Sequence, residues 1–256
     1  MSGAPSDDRG WFELVLNNQP PLWELYVGAF GGSVERVGDA QAAVVPGSPN
    51  RSFFNSVFYE DSEALVEALP KLAEIYDEAG VNAWTVWIPA GDEVAREGLE
   101  RAGHVLDATP RAMGLELSDL VLPENDPELE IRREMDTEAC RSINETAYGY
   151  PPGDFPPMKP MPDTEIYLGD LKGETVGTTL TWDRDDDVEI TFVAVLPEAR
   201  GRGVSGRILG HALEHERVRG KDASTLIATK LGRPVYEKLG YRDAGGLEMW
   251  ERRKSG

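Results

Sequence analysis

The 256-residue chain holds one cysteine, Cys140, and only three histidines. A single thiol excludes an internal disulfide and a thiolate metal cluster. Basic residues are scarce: 26 Lys and Arg stand against 46 Asp and Glu, a net charge of −20. That disfavours nucleic acid and anionic membranes, whose binding needs clustered cations. It suits a cationic small molecule, and it equally suits plain solubility. No apolar run of about 18 residues occurs anywhere, and the acidic start MSGAPSDDRG lacks the apolar core of a signal peptide. Low-complexity tracts are missing too. These absences lead to the expectation of a soluble, cytoplasmic protein that binds neither nucleic acid nor membrane. Hydrophobic residues make up 40% of the chain, enough for a core.

A polar, proline-bearing stretch at 122–127 separates two patterned halves, so domains are expected at 1–121 and 128–256 with 122–127 as linker. In the second half, Glu128–Glu134 reads as a strand, and Asp136 as the N-cap of a helix over Thr137–Ala147. Residues 148–163, YGYPPGDFPPMKPMPD, contain six prolines and exclude regular structure. Glu165–Leu171 and Thr175–Trp182 flank a Lys172-Gly173 turn and predict a hairpin. Val188–Val195, VEITFVAV, is β-branched and apolar, a central strand. A helix is expected from about Val204 to Arg219, then a strand over Ser224–Ala228, a helix over Arg233–Leu239 and a hairpin over Tyr241–Arg252. The resulting order, β-α-β-β-β-α-β-α-β-β, predicts a mixed α/β (α+β) sheet. The first half echoes it. Strands are expected at Ser33–Val37, Ala40–Val45, Ser52–Tyr59 and Ala83–Trp87, with helices at Ser62–Ala79 and Glu93–Ala102. Leu99-Glu-Arg-Ala-Gly103-His104 corresponds to Tyr236-Glu-Lys-Leu-Gly240-Tyr241, which marks an internal repeat.

The loop after VEITFVAV fits three patterns. Gly201-Arg-Gly203-Val-Ser-Gly206 is a literal G-x-G-x-x-G, but five residues separate strand from glycine. The next strand also ends at Ile227-Ala228-Thr229 with no carboxylate for a ribose, which argues against a dinucleotide site. His211-Ala-Leu-Glu214-His215 is a literal H-x-x-E-H, but the 41 residues that follow offer no peptidase-like helix with a third zinc ligand; no metal is expected. Read from Arg200, the stretch is R-x-x-G-x-S between a strand and a helix. Backbone N–H groups at a helix start, approached through glycines, bind pyrophosphate.

On these residues the chain resembles the GCN5-related N-acetyltransferase (GNAT) superfamily. The likeness rests on Val193-Ala-Val195-Leu-Pro-Glu-Ala-Arg200-Gly-Arg-Gly203-Val-Ser205 and on Gly232-Arg-Pro-Val-Tyr236-Glu-Lys-Leu-Gly240-Tyr241, and it covers about residues 128–252. Ser205 departs from the family's Gly or Ala. The first half, with Glu60-Asp-Ser-Glu-Ala-Leu in place of the glycine loop and Leu99 in place of Tyr236, resembles a degenerate copy that neither binds CoA nor catalyses. The resemblance implies two tandem GNAT-like domains, each a mixed, mostly antiparallel twisted sheet flanked by helices.

It further implies acetyl-CoA as co-substrate, held by Val193, Ala194, Val195, Arg200, Gly201, Arg202, Gly203, Val204, Ser205 and Gly206, in a wedge where Val188–Val195 splays from Ser224–Ala228. An amine attacks the thioester directly. Glu189 is the candidate base, although it ends an acidic run that also reads as a solvated turn. Tyr236 is the candidate acid that protonates the leaving thiolate. Cys140 reads as core. The proline-rich segment falls where the superfamily varies its acceptor loop. Its Tyr148, Tyr150, Phe155, Met158 and Met161 form either an apolar wall for the acceptor or a cover that never meets it. The reading is an N-acetyltransferase acting on a small-molecule amine, as monomer or homodimer. A protein lysine or N-terminal acetyltransferase and a non-catalytic acyl-CoA-binding or interaction protein are the alternatives.

Overall fold

The structure, a computed structural model, describes residues 4–254. In chain order the elements are α1 (Asp8–Phe30), β1 (Ser33–Val37), β2 (Ala40–Val44), β3 (Ser56–Phe58), α2 (Ser62–Glu78), β4 (Ala83–Pro89), α3 (Glu93–Arg101), β5 (Val105–Ala108) and β6 (Arg111–Glu116). They continue with β7 (Leu129–Arg133), α4 (Thr137–Ala147), β8 (Thr164–Leu171), β9 (Glu174–Arg184), β10 (Asp187–Val195), α5 (Val204–Val218), β11 (Ala223–Ala228), α6 (Arg233–Leu239) and β12 (Arg242–Arg253). Among the described residues no helix is long and apolar enough to cross a membrane.

The chain forms two compact units, but not the contiguous segments 1–121 and 128–256. The larger unit joins residues up to Val15 to Arg111–Ala244; the smaller joins Leu16–Pro110 to residues from Gly245 onward. The reason lies in the last strand of each half. The expected hairpin over Tyr241–Arg252 is one twelve-residue strand, β12. Its Leu247–Arg253 pairs antiparallel with β4, from Leu247↔Pro89 to Arg253↔Ala83. In return β6, from the first half, pairs antiparallel with β11 over its whole length. A strand edge left open in one half is closed by a strand from the other, which removes an aggregation-prone row of unpaired backbone groups.

In the larger unit the sheet order is β6-β11-β10-β9-β8-β7, antiparallel except for the parallel pair β10–β11. Leu209 and Leu213 of α5 pack on Val188 and Ile190, with Tyr236, Leu239 and Tyr241 completing that core. On β8 and β9 the paired Gly169 and Gly177 lie under Ile208; a Cβ on either would come within 2.5 and 2.8 Å of its Cδ1. Two glycines in register thus let the start of α5 lie close to the sheet. On the opposite face, α4 buries Cys140, Ile143 and Asn144. Its Asp136 accepts from Ala139 N–H (2.9 Å), the expected cap.

The smaller unit orders its sheet β1-β2-β3-β4-β12, with β5 also on β12. Only part of the expected strand Ser52–Tyr59 is strand: a 3₁₀ turn takes Ser52–Phe54. Its core is Leu65, Leu69, Leu72 and Tyr76 of α2 on Val57, Trp84, Val86 and Ile88. Helix α1, for which the sequence gives no clear signal, runs through Pro20 and Pro21. Trp23 and Tyr26 meet edge to face at 5.2 Å, and Phe30 meets Phe54 likewise, so packing sustains a helix that two missing N–H donors weaken.

Candidate active site

Strands β10 and β11 pair only from Asp187↔Ala223 to Ile190↔Leu226. Beyond that point no β11 residue pairs with β10, and β10 bulges between Thr191 and Ala194. Phe192 in the bulge has φ +47, a conformation aromatic residues rarely adopt. Past the bulge, Leu196 N–H bonds Val176 O on β9 (2.8 Å). Backbone direction alternates along a strand, so Ala194 also turns to β9, while Val193 and Val195 turn to the gap. Ala194, expected among the cofactor contacts, therefore has its backbone groups committed to the sheet. Val193 and Val195 are the two that face the cleft.

The chain then makes a 3₁₀ turn at Pro197–Ala199 and enters α5 through Gly203, which has φ +75 and provides no side-chain cap. The first bond into the helix runs from Arg207 N–H to Gly203 O (3.2 Å). The N–H groups of Gly203, Val204, Ser205 and Gly206 lie ahead of that bond and have no intrahelical acceptor. Donors without a cap at the positive end of a helix fit a pyrophosphate. Gly206 would tolerate a Cβ, which meets only Val235 at 3.6 Å; its backbone N–H, not its missing side chain, belongs to the site. The loop arginines turn to the protein itself. Arg202 pairs with Glu128 (3.0 Å), and Arg207 donates to Arg202 O (2.6 Å) and Glu124 O (2.7 Å). Arg200 donates to Val195 O (3.2 Å) and Ala147 O (2.6 Å).

Glu189 is 2% exposed, so the solvated-turn reading does not hold for it. It sits in register between Trp182 of β9 and Thr225 of β11, on the α4 side of the sheet. Asp187, on the same side, accepts from the Thr225 hydroxyl (2.7 Å). Tyr236 lies on the opposite side, in the α5 core, where Val193 packs against the cluster that contains it. Its ring meets Tyr241 at 6.0 Å. Burial pushes the Tyr236 phenol up, with the nearby Tyr148 phenol a smaller cause in the same direction, so it stays protonated at neutral pH. Base and acid candidates thus occupy opposite faces of the sheet, with Glu189 in the last paired stretch of β10 and β11 before the strands part.

Burial pushes the Cys140 thiol up to about 12, which makes it inert. Of the zinc-like motif, only His215 meets further candidate ligands: Glu165 and Glu216 lie beside it. Arg133 reaches Glu165 (3.0 Å) and His215 Nε2 (2.9 Å), and Arg219 holds Glu216 (3.1 Å). This is a charge-balanced network on the far side of α5 from the cleft. Trp182, Thr225 and Asn144 carry no sequence signal as neighbours of Glu189 and the bulge; strand register and helix placement bring them there. Asn144 donates to Phe192 O (3.4 Å) at the bulge.

Residues 162–243 match the family described as "Acetyltransferase (GNAT) domain". Its fold is the GNAT fold. A GCN5-related N-acetyltransferase from Kribbella flavida superposes with a TM-score of 0.68 at 16% identity, over 92% of this chain and 96% of that one. One from Sphaerobacter thermophilus gives 0.60 at 20%, over 84% and 76%. A tandem GNAT protein of the clavulanic acid biosynthesis pathway gives 0.60 at 11%, over 100% and 99%. No curated protein matches by sequence. The GNAT resemblance read from the residues holds, and the whole-chain match to a tandem GNAT protein agrees with the two-fold arrangement expected.

Proposed function

We propose that the larger unit is an N-acetyltransferase that moves an acetyl group from acetyl-CoA to a primary amine of a small molecule. The observation that carries this reading is the parting of β10 from β11, followed directly by the uncapped start of α5. Val193 and Val195 would hold the pantetheine, and the N–H groups of Gly203–Gly206 the pyrophosphate. Acetyl-CoA bound there supplies the acetyl thioester and a thiolate leaving group. Glu189 takes the proton that the incoming ammonium must lose. The Val195 N–H, facing the gap, polarises the thioester carbonyl. Tyr236 donates its proton to the departing sulfur. Buried Phe155, Met158 and Met161 in the proline-rich segment support an acceptor with an apolar body, and the net charge of −20 supports a cationic one.

The smaller unit, on the same reading, neither binds CoA nor catalyses. Calorimetric titration with acetyl-CoA and with NAD tests the site. Micromolar acetyl-CoA binding without an NAD response justifies screening amines for CoA release. Binding of neither would move a non-catalytic interaction protein to the front. For the chemistry, Tyr236→Phe is expected to lower kcat at least about tenfold, close to 1.4 kcal/mol, with the KM for acetyl-CoA little changed. A wild-type kcat in that variant removes Tyr236 as the acid.

A further inference from the structure

The strand that borders the cleft is tied to the start of the proline-rich segment at three points. Arg200 bridges two carbonyls, Val195 O at the end of β10 and Ala147 O at the end of α4. Tyr148 OH reaches Val193 O at 3.5 Å. Phe155 packs on Phe192, the positive-φ residue of the bulge, at 5.7 Å. Glu145 completes the frame: its Oε1 accepts from Gly153 N–H (2.7 Å) and Phe155 N–H (3.1 Å), which sets the path of the segment. Tyr148, Tyr150, Phe155 and Phe192 continue as a ladder of rings.

We propose that Arg200 is a positioning residue that couples the acceptor segment to the cofactor strand, not a ligand of the pyrophosphate. The inference rests on the acetyltransferase reading of the same cleft. A cation at the C-terminal carbonyls of α4 is where the helix dipole favours it. The guanidinium fork spans two carbonyls that a single ammonium cannot serve with the same geometry. The start of α5 meanwhile presents an anion site of its own, without Arg200. The two carbonyls that face the cleft, on Val193 and Val195, are held by Tyr148 and Arg200. A pantetheine that uses them shares or displaces those bonds, so its arrival is transmitted to residues 147–155, where the acceptor is met.

The test uses the full chain with Arg200→Gln, and Arg200→Lys as the conservative variant. Acetyl-CoA affinity is measured by calorimetry, and amide hydrogen exchange is followed over residues 147–155. In Arg200→Gln the exchange of that segment in the free protein is expected to rise at least about tenfold, while the acetyl-CoA Kd stays within about threefold of wild type. Arg200→Lys falls between. A Kd raised more than about tenfold with unchanged exchange makes Arg200 a phosphate ligand and overturns the proposal. Unchanged exchange together with unchanged Kd overturns it as well, and a large loss of both overturns the separation of roles. Should the wild-type protein fail to bind acetyl-CoA, the acetyltransferase reading falls. The exchange of free wild type against free Arg200→Gln then still decides whether Arg200 holds the segment.

Discussion

The two units make the same turn from strand to helix with opposite chemistry. In the smaller unit, Asp61 caps α2: its carboxylate accepts from Ala64 N–H (2.8 Å), and Asp39 accepts from the Asp61 N–H (2.7 Å). Two carboxylates thus occupy the positive end of that helix. In the larger unit, Gly203 enters α5 left-handed and contributes no side chain, so the helix start keeps its donors. Both helices carry the same dipole. One is satisfied from within the chain and repels a further anion; the other has neither a side-chain cap nor an acidic residue in its first turn. The next repeat position differs as well. Tyr241, after Gly240, is buried with its hydroxyl on Ser224 (2.6 Å). His104, after Gly103, is equally buried, set edge-on to Trp84 at 4.5 Å, with neither ring nitrogen hydrogen-bonded.

The largest effect is expected from cutting the chain where the sequence suggests a linker. Residues 122–256 alone lack β6, leave the β11 edge open and strand β12 without β4. They should show no cooperative thermal unfolding, and a sharp transition in this fragment would refute the strand exchange. Next comes His104. Burial, with a smaller push from Arg252, lowers its pKa from 6.5 to about 4. Between those values the unfolded chain binds the proton and the folded chain does not. The His104 contribution to stability is therefore complete above pH 6.5 and is lost as the pH drops toward 4, by up to about 3 kcal/mol. His104→Phe should flatten that slope in denaturant titrations across the window; an unchanged slope assigns the acid sensitivity elsewhere.

Ser205→Asp would give α5 the kind of carboxylate that α2 already carries. Acetyl-CoA affinity should weaken at least tenfold, about 1.4 kcal/mol, as read by calorimetry. Retained affinity would place the pyrophosphate away from this helix start. The smallest effect is the reverse change. Asp61→Ala should cost about 1 kcal/mol of stability through the lost cap, seen as a lower Tm. It should create no acetyl-CoA binding, because Asp39 still accepts from the backbone N–H of position 61 and keeps a carboxylate at that helix start.

Elements whose signals are short-range were legible. Helix α4 with its Asp136 cap, α6 ending at left-handed Gly240, the apolar run of β10 and the glycine entry to α5 all stand where the residues predict them. Of the candidate site, the loop and the burial-compatible strand could be read. The partners of Arg200 could not, because Ala147 lies 53 positions away in the chain and only the packing of α4 on the sheet brings its carbonyl near. Helix α1 was hidden by Pro20 and Pro21, whose local penalty is outweighed by aromatic packing that no local pattern encodes.

By itself the sequence determined where chain direction changes, which residues start and stop helices, and which loop presents free donors, since each depends on neighbours a few residues apart. Tertiary structure alone decided that β6 and β12 trade places, that β10 parts from β11 beyond Ile190, and that Arg200 turns back to α4. Each of these depends on which distant strand edge or carbonyl is left unsatisfied, and a backbone group can be satisfied by any partner that folding brings within reach.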